Sequence, residues 1–143
     1  MLDIFLEVDN IDKKATKENV DELLSLYRRL ARMADEEYMP KMTATYSFEI
    51  KGSGGGVSDS LGEAISRSVS AQQEINKIMK AVNKMNSYQR QLIFEKYIKR
   101  RQQTDIMIYI GLNMSESTFY RELEKAQLEF AEAYDNGRLL LIH

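Results

Sequence analysis

Apolar residues recur at steps of three and four positions along most of the chain, which is the spacing of an amphipathic α-helix. Two long stripes of this kind run over roughly 17–37 and 61–86, and a shorter one covers 87–99. Thr16 is predicted to cap the first helix. Pro40 is predicted to end it, because the residue before a proline disfavours the helical conformation. We therefore expect an all-α fold built as a helical bundle.

The second stripe contains weak helix formers near its beginning. Gly62 and the serine-rich segment 66–70 predict either two helices or one interrupted helix. Ser58 or Ser60 is predicted to cap this stripe, and Ser87 to cap the next one.

Three segments depart from the helical period. Residues 2–11 are apolar enough for a strand or an extended arm, and 42–50 alternate weakly as an extended segment would. Residues 52–57 are a glycine-rich linker by composition. The sequence thus predicts a helical and extended N-terminal region, 1–51, followed after the linker by a second helical domain, 58–143.

The most informative stretch is 104–126, where two short helical patterns flank one asparagine. Thr104 can cap a helix that runs to Leu112, and Ser115 can cap a second helix. Asn113 stands between them, where the chain needs a left-handed residue, a conformation that asparagine tolerates. This order predicts a helix-turn-helix related in pattern to region 4 of bacterial sigma factors.

The apolar positions of this stretch are spaced so that both helices turn one face inward. Four-residue steps predict that five side chains pack against the preceding helix and form a trihelical unit. The five are Ile108, Leu112, Met114, Phe119 and Leu123, and their expected partners are Leu92, Ile93 and Tyr97. The apolar tail, 139–142, is expected to dock on its own chain.

The start of the second helix keeps polar side chains on its outer face, which is the end that enters the major groove in a helix-turn-helix. The predicted base-contacting residues are Ser117, Thr118, Tyr120, Arg121 and Lys125. Arginine can bond a guanine edge twice, and hydroxyls reach bases or phosphates. Glu116 fits two roles, acceptance from a cytosine amine or complementation of the helix dipole. A helix-turn-helix also occurs in modules that bind only proteins.

Charge is unevenly distributed along the chain. The net charge is −2, yet Lys77 to Arg101 contains eight basic residues against one glutamate. Such a stretch is typical of a local polyanion contact, and it is equally typical of a solvated helix face. The predicted phosphate-contacting residues are Lys96, Lys99, Arg100, Arg101 and Ser115.

Few residue types suited to catalysis are present. The chain has no cysteine, and its one histidine is His143, so we expect no disulfide, no metal, no cofactor and no enzyme activity. No segment reaches the ~18 apolar residues of a membrane span, and 1–10 lack the basic start of a secretory signal. We expect a cytoplasmic protein without a membrane partner.

Several short segments, in order and spacing, resemble the ArpU-type phage transcriptional regulators, which include RinA-like late-gene activators. The matching segments are 15–20, 27–31, 39–48, 90–97, 115–121, 125–126 and 130–131. Asn113 departs from the pattern, where glycine is commoner. The resemblance implies an all-α regulator from a phage or prophage of a Gram-positive host, acting on promoters of late genes.

The sequence therefore predicts a sequence-specific regulator, expected to activate phage late genes, whose partner is double-stranded DNA. Its N-terminal half is expected to contact RNA polymerase or a second copy of the chain. Two other functions fit the same pattern. A small terminase-like packaging adaptor would form a ring, and a protein-only interaction module would show no salt-sensitive DNA binding.

Overall fold

The computed structural model describes residues 4–34 and 59–143, and over this part the fold is all-α. The helices are α1 (Ile4–Asp9), α2 (Lys13–Leu24), α3 (Tyr27–Ala34), α4 (Asp59–Lys84), α5 (Ser87–Ile93), α6 (Asp105–Gly111) and α7 (Glu116–Ala133). A π-helical turn, Phe94–Ile98, continues α5, and a 3₁₀ turn, Asp135–Gly137, follows α7. The predicted extended segment 42–50 and linker 52–57 lie outside the described residues.

The chain divides into two compact units. One comprises Met1–Arg28 and Lys77–His143, and the other is Arg29–Asn76. Within the second unit, the Ser68 hydroxyl donates to the Ala34 carbonyl at 3.3 Å. The boundaries predicted at 51 and 58 stay a prediction.

The core of the first unit forms where α2 and α5 pack on the long helix α7. Its largest fully buried side chains come from all three helices and from the end of α4. They are Thr16, Val20, Leu24, Ile78, Leu92, Ile93, Phe119 and Phe130, and Ile108 of α6 joins them. Burial of the apolar side chains among them is the main stabilising term of such a bundle.

The single helix predicted over 17–37 is wrong. The structure has two helices there, α2 and α3, separated by a turn at Ser25 and Leu26. The Leu26 amide bonds the Leu23 carbonyl only three residues back, which tightens the chain. Apolar positions continue in register across the turn, so their period gives no sign of the break. The predicted end beyond Ala34 lies outside the described residues.

Two further expectations near the N-terminus are also wrong. In place of the strand or extended arm expected over 2–11, helix α1 occupies most of the described part of this range. Thr16 is not a cap, because α2 begins earlier and Asp12 accepts from the Ala15 amide at 3.1 Å. Thr16 is buried within α2 instead, where its hydroxyl accepts from the Leu141 amide at 3.0 Å.

The C-terminal tail lies against the beginning of α2, as expected for a tail that docks on its own chain. Ile11 and Ile142 form an isolated antiparallel bridge. The Asp12 amide donates to the Leu141 carbonyl at 2.8 Å, and the His143 amide to the Asn10 carbonyl at 2.8 Å. These bonds satisfy backbone groups at both chain ends.

The remaining helix boundaries differ in three places from the sequence expectation. Ser60, one of the two predicted caps of α4, lies inside this helix, and Ser58, the other, lies outside the described residues. Helix α4 is continuous, so Gly62 and the serine-rich segment do not interrupt it. Asn86, and not Ser87, caps α5, since its side chain accepts from the Gln89 amide at 3.0 Å. Among the described helices, none combines the length and apolar character needed to span a bilayer.

Candidate nucleic-acid interface

The connection between α6 and α7 has the local structure that the sequence predicts. Thr104 caps α6 by accepting from the Met107 amide at 3.2 Å, and Ser115 caps α7 by accepting from the Thr118 amide at 3.2 Å. Asn113 between them is left-handed, with φ of 60°. These three predictions are confirmed.

The end of α6 forms a Schellman motif around Asn113. The Met114 amide donates to the Tyr109 carbonyl at 2.8 Å, and the Asn113 amide to the Ile110 carbonyl at 3.0 Å. This pair of bonds satisfies the last carbonyls of a helix and requires a left-handed residue. The motif fixes the direction in which the chain leaves α6 and enters α7.

The apolar interior of this region matches the expectation in part. Ile108, Phe119 and Leu123 are buried, as are their predicted partners Leu92, Ile93 and Tyr97. Leu112 and Met114 are only half-buried, so their predicted burial is wrong. Both line an open groove of about 330 Å³ together with residues of α5, because the turn leaves one of their sides facing solvent.

The outer face at the beginning of α7 presents polar side chains. Ser117 is exposed, and the side chains of Arg121 and Lys125 are 62% and 60% exposed. Thr118 is half-buried, and its hydroxyl oxygen accepts from the Ser115 hydroxyl at 2.9 Å and from Arg121 Nη2 at 3.5 Å. The polar side chains in the first turns of α7 therefore form hydrogen bonds with one another.

Glu122 stands beside both basic residues of this face, and sequence reasoning missed it. Its carboxylate lies 3.2 Å from Lys125 Nζ and 3.8 Å from Arg121 Nε. It also accepts from Gln89 Nε2 of α5 at 3.3 Å. The three-residue spacing between Glu122 and Lys125 is the feature of the sequence that could have predicted this contact. Since Glu122 is only 15% exposed, it can orient the two cations while leaving their outer sides open.

Asp105 is a second carboxylate that sequence reasoning missed. One oxygen accepts from Lys96 Nζ at 2.8 Å, and the other accepts from the Tyr120 hydroxyl at 3.0 Å. This hydrogen bond is the main reason why the pKa of Tyr120 is raised above its usual value. Glu116 accepts from the Tyr109 hydroxyl at 3.4 Å in a similar way. Lys96 and Tyr120, predicted in separate roles, thus share one partner.

The basic segment 96–101, which begins in the π-helical turn, is held through its backbone carbonyls by the side chain of Arg28. Arg28 donates to the Lys99 carbonyl at 2.8 Å through Nε and to the Lys96 carbonyl at 3.2 Å through Nη2. Arg28 is half-buried, and burial lowers its pKa. Arg100 and Arg101 are exposed and form no ion pair with a described residue.

Lys99, unlike Arg100 and Arg101, has an ion-pair partner among the described residues. Its ammonium lies 3.3 Å from Glu95 one turn earlier, and its side chain is 39% exposed. Glu95 is only 18% exposed, so this pair is part-buried, but Lys99 itself faces solvent more than Lys96 does.

A buried polar network connects three helical elements behind this surface. The Tyr97 hydroxyl donates to Asp21 Oδ1 at 2.8 Å and accepts from Gln127 Nε2 at 2.9 Å. Burial, and then the bond to Asp21, raise the pKa of Tyr97. The network joins α2, the π-helical turn and α7, and it holds α7 at a defined distance from the basic segment.

An open groove of about 550 Å³ brings several predicted residues together. Its lining consists of Lys17, Asp21, Lys96, Asp105, Tyr120, Arg121, Leu123, Glu124 and Gln127. Lys17 pairs with Glu124 at 3.0 Å across the groove. Of the predicted contact residues, only Lys96, Tyr120 and Arg121 line it. Over residues 4–34 and 59–143, no three acidic or histidine side chains are grouped as metal ligands.

Comparison with known proteins identifies the family. A protein of Streptococcus phage O1205, provisionally named autolysin regulatory protein ArpU, is 30% identical over 132 residues. The match covers 92% of this chain and 95% of the phage protein. The chain belongs to the ArpU-like family. No family model matches it, and no solved structure matches it significantly.

The segments that resemble ArpU-type regulators fall on defined elements of this ArpU-like chain. Segment 15–20 lies in α2, 90–97 spans α5 and the π-helical turn, and 115–121 covers the cap and first turns of α7. Segment 39–48 lies outside the described residues. The ArpU-like pattern therefore includes the helices that pack around α7 as well as its exposed beginning.

Proposed function

We propose that this ArpU-like chain is a sequence-specific, double-stranded-DNA-binding regulator that activates late genes of a phage or prophage. The observation that carries the proposal is the capped turn between α6 and α7, which presents the polar beginning of α7 on a rigid support. The relative from phage O1205 is itself named as a regulatory protein. In this proposal α6 and α7 act as a helix-turn-helix, with α7 as the recognition helix.

The dimensions of α7 suit the major groove. Its 18 residues extend about 27 Å at 1.5 Å per residue. Ser117, Arg121 and Lys125 share its exposed side at four-residue steps. Arg121 would bond a guanine edge, with Ser117, Thr118, Tyr120 and Lys125 as further base contacts.

Phosphate contacts would come from the segment before α6. Arg100 and Arg101 are the exposed cations without an ion-pair partner among the described residues, and Lys99 has only a part-buried pair with Glu95. Ser115 caps the N-terminus of α7, where free backbone amides and the helix dipole favour a phosphate. Lys96 would have to leave Asp105 to reach a phosphate. Arg28 supports this set by fixing the backbone at Lys99.

The proposal is tested by selecting bound duplexes from sheared phage and host DNA at moderate salt and sequencing them. Enrichment of one short motif upstream of late genes is the expected result. A template with that promoter, transcribed with and without the protein, then tests activation.

The other outcomes distinguish the alternatives. Equal retention of every fragment would show a basic patch without sequence recognition, and no retention would favour a module that binds only proteins. A ring-shaped assembly by mass in solution would favour a packaging adaptor.

A further inference from the structure

Asp105 joins two elements of the candidate interface through a single carboxylate. It accepts from Lys96 Nζ of the π-helical turn at 2.8 Å and from the Tyr120 hydroxyl of α7 at 3.0 Å. Both carboxylate oxygens are therefore engaged. The side chains of Lys96 and Asp105 are only 22% and 28% exposed, so this pair is less screened by water than the surface pairs nearby.

The cations around the groove differ in how far they are already neutralised. Lys17 is paired with Glu124, and Lys96 with Asp105. Arg121 has its nearest carboxylate at 3.8 Å and is 62% exposed. Arg100 and Arg101 have no described ion-pair partner. Positive charge available to a polyanion is thus greater on these arginines than on Lys96, which lines the same groove as Arg121.

We propose that Asp105 is a specificity-determining residue, which withholds Lys96 from DNA phosphates and positions Tyr120 on the recognition helix. This inference rests on the proposed function. Affinity for random duplex is electrostatic and grows with each phosphate that a lysine or arginine neutralises. Sequence discrimination comes instead from side chains held against base edges. By neutralising Lys96, the carboxylate of Asp105 lowers affinity for random duplex. By fixing Tyr120, it supports sequence discrimination.

The test measures the salt dependence of binding to a random-sequence 20-base-pair duplex for the wild-type full chain and for three variants. The slope of log affinity against log salt steepens by about 0.9 for each additional phosphate that the protein neutralises. In the wild-type background, Lys96→Met is expected to leave the slope unchanged, because Lys96 makes no phosphate contact. Asp105→Asn is expected to steepen the slope by about 0.9. Adding Lys96→Met to Asp105→Asn is expected to restore it.

A matched control separates a local effect from a change of net charge. Asp135→Asn removes the same charge beyond the far end of α7, where Asp135 pairs with Arg138 at 3.3 Å and with Lys77 at 3.5 Å. Asparagine suits the positive φ of 46° at that position. This control is expected to leave the slope unchanged. A slope as steep as that of Asp105→Asn would overturn the local role of Asp105.

The positioning role is measured on the duplex most enriched by selection. Asp105→Asn is expected to raise affinity for the random duplex at least threefold more than affinity for the enriched one. Asparagine offers one acceptor oxygen where the carboxylate offers two, so Lys96 and Tyr120 no longer each have an acceptor of their own. Tyr120→Phe is expected to weaken only the enriched duplex and to leave the salt slope unchanged. An unaltered affinity ratio in both variants would overturn the positioning role.

Two results would overturn the withholding of Lys96. One is a slope that becomes shallower by about 0.9 in Lys96→Met alone, which would show that Lys96 already contacts a phosphate. The other is an unchanged slope in Asp105→Asn. The first decides the question even where Asp105→Asn does not fold. A wild-type chain that binds no duplex would overturn the proposed function and this inference together. If the wild type binds and Asp105→Asn has the same salt slope as the wild type, the inference alone is overturned.

Discussion

The Tyr97 hydroxyl donates a 2.8 Å hydrogen bond to the carboxylate of Asp21, which lies 76 positions earlier in the chain. Gln127 of α7 donates to the same hydroxyl at 2.9 Å. Tyr97 is almost fully buried, whereas Asp21 reaches it from an exposed position on α2. One phenol thus links three elements: α2, the π-helical turn and α7.

Tyr97→Phe should destabilise the protein by about 1–3 kcal/mol, because it leaves the Gln127 amide buried without its acceptor. Urea denaturation at neutral pH measures the change. Tyr88→Phe is the matched control, since Tyr88 is 45% exposed and its replacement should change the free energy of unfolding little. Equal midpoints for Tyr97→Phe and the wild type would show that water replaces the lost bonds.

Arg28→Ala should cost about 1.5 kcal/mol, because two carbonyls at the end of the π-helical turn lose a charged donor. Hydrogen exchange should also quicken at the amides of 99–103, and affinity for DNA should fall. The neighbouring Arg29→Ala, at an exposed position, should stay within about 0.5 kcal/mol of the wild type. A similar loss in both variants would mean that the Arg28 contacts contribute nothing specific.

Asn113→Val should destabilise the protein by about 1–2 kcal/mol, because a β-branched residue resists the left-handed conformation. Asn113→Gly keeps that conformation accessible and should change the free energy of unfolding by less than about 0.5 kcal/mol. Asn113 is exposed, so neither change disturbs the core. Thermal unfolding of the three proteins checks the order, and a destabilised glycine variant would contradict it.

Arg121→Ala should weaken binding to the selected duplex by about 1–3 kcal/mol and relax the preference at one base position, if Arg121 bonds a guanine. Titration of the selected and scrambled duplexes measures both effects. Lys80→Ala removes an exposed cation from α4 and should leave the preference intact. Equal losses on both duplexes would show that Arg121 contacts only phosphate.

The sequence determined the features that depend on near neighbours. The helical class follows from the apolar period, and the caps at Thr104 and Ser115 follow from side chains that bond an amide three residues ahead. The left-handed residue at Asn113 follows from the same local chemistry. Such contacts need no knowledge of the rest of the chain, and all three predictions are confirmed.

Only the tertiary structure decided which side chains meet across the elements. Asp105 receives Lys96 and Tyr120 from two different elements, and Arg28 reaches carbonyls 68 and 71 positions away. Thr16 matches the pattern of a cap, yet it serves the C-terminal tail 125 positions later. These partners are chosen by packing, because burial of α2 and α5 against α7 determines which polar groups come within bonding distance. Periodicity shows that a helix has a buried face, but it does not show which helix covers that face.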